Sequence, residues 1–319
     1  PRYAAEVAFA KAVKLDATAD SAAEIDEVIR VLDKAAAGNP QNDIYARNLA
    51  GALLRRLDYV TADEAANSEY VQSLIATTIA TANRATDLSP DNVLNWEVRG
   101  LVYRELLSVI PDAAEPAVAA YEMTVELAPV NPRYRVEAAR AYLAIADAQT
   151  PLLDNDDADI AAEAVATRDN SLATAEEHLN IAIALKADYA PARYYLALLK
   201  EQQGELAEAV RGLELVRAQV PDDVGVGLQL GLLYLRQGKN DLAQAELERV
   251  IELAPAYADA HWYLSVVFEQ QGDLQRAIIE VQKVLDTNPD NVTVQTRLDR
   301  LQAGETTTTI PEPVGETLP

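Results

Sequence analysis

The sequence has no cysteine, one methionine, two phenylalanines, two tryptophans and two histidines. Without cysteine there is no disulfide, no thiolate nucleophile and no thiolate metal site, and the redox compartment stays open, because cytosolic and exported proteins alike can do without it. Basic residues are scarce as well. Twenty-seven Lys and Arg against 51 Asp and Glu leave a formal charge of −24, which repels a phosphate backbone and argues against a nucleic-acid partner. No uncharged apolar run reaches 18 residues, so this stretch of chain inserts no helix into a membrane. Aromatics make up only 6% of the residues while half are apolar, a balance that suits an all-helical protein better than a sheet sandwich or a disordered chain.

What is present is repetition. "GELAEA", "GKNDLA" and "GDLQRA" begin at Gly204, Gly238 and Gly272, a constant step of 34, and Pro221, Pro255 and Pro289 keep the same step. One further step back reaches Ala187 in "ALKADYAPA", which parallels "ELAPAYADA". Small residues fall where two helices of a pair would cross: Ala197, Gly231 and Ser265 on a first helix, Ala209, Ala243 and Ala277 on a second. Leu196, Leu230, Leu264, Tyr234, Phe268, Leu213, Leu247 and Val281 recur at helical spacing as a buried seam. Gly supplies a left-handed turn between the helices, and Pro stops the second one.

This 34-residue pattern resembles the tetratricopeptide repeat, a helix-turn-helix unit that stacks into an α-solenoid. The resemblance implies an all-α, right-handed superhelix of about seven helix pairs. The pairs are expected near 3–38, 42–89, 92–128, 132–186, 190–220, 224–254 and 258–288, with a polar capping helix at 291–303 carrying Arg297, Asp299 and Arg300. Four stretches follow: 1–187 as divergent repeats with insertions around "DYVTADEAANSEY" and "TPLLDNDDADIAAEAVATRDN", 188–290 as three regular repeats, 291–303 as the cap, and 304–319 as a Thr/Pro-rich tail. Trp96, Gly100 and Tyr103 keep the family's aromatic, Gly and Tyr positions upstream. The opening "RYAAEVAFAKAV" with "LDKAAAGNPQNDIYARNLAGALL" also resembles the extracytoplasmic repeat region of bacterial O-antigen-ligase-like membrane proteins. Together with a first residue that is not Met, this sets the expectation that a leader, an anchor or a further domain precedes Pro1.

Catalytic signatures are missing. His178 and His261 have no second His or Cys to complete a metal or nucleophile constellation and are expected as ordinary histidines on helix surfaces. There is no nucleophile elbow and no phosphate loop. "DNDDAD", Asp154 to Asp159, fails as an EF-hand: its fifth position is Ala158, its sixth Asp159 rather than Gly, and its twelfth Val165 rather than Glu. It is expected as a solvated loop. No enzyme, cofactor or metal site is expected. The one sequon is Asn291-Val292-Thr293.

Function is expected in protein contacts. The resemblance implies peptide binding on the face lined by first helices, where Tyr194, Leu198, Leu228, Leu232, Trp262 and Val266 fall. Those six either line an apolar groove for an extended, Pro-containing segment or pack against the neighbouring repeat. The family's carboxylate clamp is not matched, apart from Arg47 and Asn48. The tail "ETTTTIPEPV" is too polar and Pro-broken to order itself, so Ile310, Pro311, Pro313 and Val314 are expected to dock on such a groove, in a neighbouring copy. That contact would give a homo-oligomer or head-to-tail fibre. Thr306, Thr307, Thr308 and Thr309 are candidate O-glycosylation sites, giving a surface glycan and an extracellular or cell-surface location. Two alternatives stand beside it: the extracytoplasmic module of a membrane-anchored, polysaccharide-handling protein, and a cytoplasmic peptide-binding adaptor.

Overall fold

A computed structural model describes residues 2–61, 68–107, 109–110, 113–307 and 309–314. The described residues form fifteen α-helices and no strand. Seven pairs run in order: α1 (Arg2–Asp16) with α2 (Ala22–Gly38), α3 (Asp43–Thr61) with α4 (Ser68–Leu88), α5 (Val93–Glu105) with α6 (Ala114–Leu127), α7 (Pro132–Gln149) with α8 (Ala158–Leu185), α9 (Ala190–Gln202) with α10 (Leu206–Gln219), α11 (Val224–Arg236) with α12 (Asn240–Leu253), and α13 (Ala258–Gln270) with α14 (Leu274–Thr287). A single helix, α15 (Val292–Gln302), follows. The fold is that of an α-solenoid, and within α1–α8 and within α9–α15 each helix packs on its sequence neighbours. Part of the first insertion, residues 62–67, lies outside the described residues. The second insertion lengthens α8 to 28 residues. Within "DNDDAD", Asp157 caps α8 by accepting from the Asp159 N–H at 3.0 Å, so one carboxylate of that run terminates a helix.

The chain divides into two compact units, Pro1–Ala187 and Asp188–Pro319. In the first, Val28, Val31, Leu32, Leu53, Leu57 and Val102 anchor one buried cluster, and Tyr121, Val125, Tyr134, Ala138 and Ala141 form a second. In the second, one continuous cluster runs from Ala197 to Leu301 and takes in Leu213, Leu230, Leu233, Leu247, Trp262, Leu264 and Val281. Close crossing explains the small residues. A Cβ placed on Gly231 would sit 3.0 Å from Leu247, and one on Gly100 would sit 2.9 Å from the Tyr121 ring. Leu196 departs from the expected seam by being only half-buried.

Four glycines take the left-handed conformation, Gly204, Gly238, Gly272 and Gly304, with φ of 80°, 69°, 80° and 80°. Each sits in the same hydrogen-bonded turn. The amide after the glycine donates to the carbonyl five positions back, as in Glu205 to Lys200, Lys239 to Tyr234, Asp273 to Phe268 and Glu305 to Arg300, at 2.8 to 3.0 Å. The first three turns lead into a second helix. The fourth follows α15 and leads into "ETTTTIPEPV", whose prolines forbid a helix.

Candidate functional site: the face of the last first helix

α13 is buried along almost its whole length, from Asp259 to Glu269. That run contains two carboxylates, a histidine and an indole, and each has a partner for its polar atoms, as burial requires. Glu269, with no exposed side-chain surface, accepts from Arg297 Nη2 at 2.6 Å and Arg300 Nη2 at 3.4 Å of α15. The Arg297 guanidinium also lies over the Trp262 ring, 5.0 Å from its centroid. Burial pulls the Arg297 guanidinium below its ordinary pKa, and the neighbouring Glu269 carboxylate partly offsets that. The polar cap expected of α15 is thus turned inward at Arg297, because Glu269 gives it a buried counter-charge.

The tail completes the surface. The Thr307 N–H donates to Glu269 Oε1 at 2.6 Å, Trp262 Nε1 donates to the carbonyl of Glu312 at 2.9 Å, and the Val314 N–H donates to Asp259 Oδ1 at 2.9 Å. Thr307 and residues 309–314 therefore run antiparallel to α13, from its C-terminal to its N-terminal end. Ten residues of helix rise about 15 Å, while seven residues of extended chain reach about 23 Å, so the tail covers the helix without being drawn taut. Ile310 and Val314 pack on the apolar cluster. Pro311 is half-buried, whereas Glu312 and Pro313 face solvent. Tyr263 beneath is pushed up from its ordinary pKa by burial first, then by the Asp259 and Glu312 carboxylates.

Two family models, both described as tetratricopeptide repeat, match residues 191–223 and 228–292. Residues 191–223 and 228–292 are tetratricopeptide repeats. A tetratricopeptide repeat protein from Parabacteroides merdae superposes with a TM-score of 0.63 at 16% identity, over 94% of this chain and 99% of that one. PilW, a type IV pilus biogenesis factor, gives 0.55 at 15% identity over 78% of this chain and 98% of its own. The Cut9–Hcn1 hetero-tetramer of the APC/C gives 0.53 at 13% identity over 91% of this chain and 54% of the other. Identities this low establish the shared tetratricopeptide fold alone. No curated protein matches the sequence.

Among the six residues expected on the tetratricopeptide groove, Leu228, Leu232, Trp262 and Val266 are buried, and Tyr194 and Leu198 are half-buried. Val266 is sealed at 0% exposure within the C-terminal cluster, while Trp262 is sealed at 1% partly by the tail itself. The tail was expected on another copy; here it lies on its own chain. The physical reason is reach, since only Glu305 and Thr306 separate the Gly304 turn from the first contact at Thr307. Of the threonines, Thr306 and Thr309 are exposed, Thr307 is half-buried, and Thr308 falls outside the described residues. Asn291 of the sequon caps α15, accepting from the Val294 N–H at 3.2 Å.

The histidines correct a surface expectation. Both are 6% exposed. His261 Nδ1 lies 2.6 Å from Glu280 of α14 and its Nε2 lies 2.9 Å from the Pro255 carbonyl, while His178 Nε2 lies 2.9 Å from Glu122 of α6 and its ring stacks on Tyr142. Each fills a gap between helices where a carboxylate answers it, which is a structural use. Burial pushes Glu280 up, but hydrogen bonds from His261 and Lys283 bring its carboxyl below the usual range.

Arg47 and Asn48, the two clamp-like residues, are engaged within the chain. Arg47 Nη1 donates to Asn95 Oδ1 at 3.2 Å and Asn48 Nδ2 to the Ile44 carbonyl at 2.7 Å. They border an open cavity of about 440 Å³ with Asp16, Arg55, Asp58 and Glu105, a wall of mixed charge. The residues that sequence reasoning passed over are Asp259 and Glu269. Their signal was legible as two acids ten apart on an otherwise apolar first helix, "ADAHWYLSVVFEQ".

Proposed function

We propose that this chain is a non-catalytic interaction scaffold whose C-terminal unit receives an extended, proline-containing protein segment along α13. We further propose that, where copies are crowded above the effective concentration of the tethered tail, a neighbour's tail replaces the chain's own and copies link head-to-tail at the outside of the cell. The observation carrying the reading is the seat of residues 307–314, held by backbone N–H and C=O groups to Glu269, Trp262 and Asp259. Main-chain hydrogen bonds with apolar side chains between them are the general mode by which an extended peptide is held. The prolines stiffen such a segment and lower the entropy lost on docking.

Every copy carries both groove and tail, so a tail seated on another copy makes a contact that need not close. The charge of −24 opposes it, and added salt should favour it. Export draws its support from the exposed Thr306 and Thr309, in a threonine run with prolines after it, and from the resemblance of about the first 55 residues to extracytoplasmic repeats. An intact mass above the sequence mass in natively produced protein supports a glycan at the threonines. An upstream sequence with several membrane segments favours the membrane-anchored module instead, and an initiator Met without an export signal favours the cytoplasmic adaptor.

The test of the groove is a labelled peptide of residues 305–314 titrated into a chain ending at Gly304. Saturable binding that an excess of unlabelled peptide reverses is expected, and no binding contradicts the reading. Light scattering of the full chain over a range of protein and salt concentrations tests self-association. Growth in mass that the chain ending at Gly304 lacks supports it, and equal monomeric masses contradict it.

A further inference from the structure

The contacts between tail and α13 divide unevenly. On the α13 side they are buried side chains, Asp259, Trp262 and Glu269. Among the described tail residues, the hydrogen bonds to α13 come from the backbone, at Thr307, Glu312 and Val314, and Ile310 and Val314 pack on the core cluster. The groove therefore reads a pattern rather than a unique sequence. It takes an apolar residue, a proline, a residue whose carbonyl faces the indole and whose side chain is free, a second proline, and an apolar residue whose amide meets Asp259. At Pro311 and Pro313 no N–H exists to be stranded under the tail.

Release is also built in. Glu269 keeps Arg297 and Arg300 when Thr307 leaves, so departure of the tail strands no buried carboxylate there. The tether consists of Gly304, whose left-handed φ of 80° has open space around it, and the exposed Glu305 and Thr306. A tether this short holds the tail at an effective concentration of about millimolar. So small a set of contacts persists because it is tethered, and an outside segment must outcompete that concentration.

We propose that residues 307–314 are a resident pseudo-ligand. The external partner of this groove is then an extended protein segment of the form apolar-Pro-x-Pro-apolar, bound antiparallel to α13, and the tail holds the site closed to that partner until displaced. This inference rests on the reading of α13 as a peptide groove. It goes beyond that reading by naming the partner's pattern and by making the chain's own end its competitor.

The experiment uses the full chain and a full-length variant carrying Ile310→Asp and Val314→Asp, which places charge on the two apolar anchors and leaves every helix intact. A labelled peptide of residues 305–314 is the probe, and circular dichroism checks that the fold is unchanged. The variant is expected to bind the peptide at least about tenfold more tightly than the full chain, because the tethered competitor is gone. A chain ending at Gly304 is expected to match the variant. Equal affinity of full chain and variant overturns the pseudo-ligand while leaving the groove standing. No binding by either the variant or the shortened chain overturns the groove and the inference with it.

Discussion

The two units use the same helix pair and fill its first-helix face in opposite ways. In Pro1–Ala187 the face around α3 and α5 is a polar ladder. Asn95, fully buried, donates to Asp43 Oδ2 at 2.9 Å and to the Ala85 carbonyl at 2.9 Å, and accepts from Arg47 at 3.2 Å. Asn92 adds a bond to Asp43 at 2.8 Å. In Asp188–Pro319 the matching stretch of α11 is Val226, Gly227, Leu228, Leu230 and Leu232, all buried, and α13 meets an extended segment instead of an amide ladder. A face closed by internal hydrogen bonds has few groups to offer an incoming backbone, whereas a face with buried acceptors and an indole donor at its rim has several.

The largest effect expected on this contrast is Trp262→Ala. It removes a buried indole from the C-terminal core, should cost about 3 to 5 kcal/mol in chemical unfolding, and also removes the donor to Glu312. Next comes Asn95→Ala, which leaves the Ala85 carbonyl short of a partner and Arg47 without its acceptor. A cost of about 1 to 3 kcal/mol is expected by the same measurement, with peptide binding at α13 unchanged. If Asn95→Ala weakened that binding as much as Trp262→Ala, the contrast between the faces would fail.

Acid should act on the polar bonds. The Glu122 carboxyl is held below its usual range by the hydrogen bond from His178, against the opposing effect of burial. Burial raises Asp43, but Asn95, Asn92 and Arg47 bring it below normal. Groups with depressed folded pKa values contribute stability that is present above their ordinary values near 4 and is lost as pH falls through the folded ones. The unfolding midpoint is therefore expected to hold near neutrality and to decline below about pH 4, and Glu122→Gln should flatten part of that decline. A profile unchanged by the substitution would remove Glu122 from the account. The smallest expected effect is Gly304→Ala, about 1 kcal/mol of local turn strain at φ of 80°. It should be read as a shift in tail docking by Trp262 fluorescence, with the global unfolding midpoint nearly constant.

Legibility followed the same division. The 34-residue spacing of glycines and prolines predicted the helix pairs, because one apolar seam and one left-handed turn determine each unit and leave little to choose. The polar ladder was not legible, since nothing in "NVLNWEVRG" marks Asn95 as buried until Asp43 and Ala85 are brought beside it. Of the site, the aromatic at Trp262 and the apolar tail anchors were legible as chemistry. Their pairing within one chain was not, because it depends on the two-residue span between the Gly304 turn and Glu269. The buried histidines were misplaced for a related reason: a carboxylate on a neighbouring helix is invisible in a local pattern.

The absence of cysteine makes the deciding measurement direct. A single nitroxide attached through Glu312→Cys, an exposed position, should broaden the indole N–H signal of Trp262, which hydrogen-bonds the carbonyl of that residue. With label and isotope on the same chain, the account predicts strong broadening at Trp262 that is independent of dilution. With label on one copy and isotope on another, it predicts none at micromolar concentration. No broadening on the same chain, or equal broadening across copies, would contradict a tail that lies along its own α13.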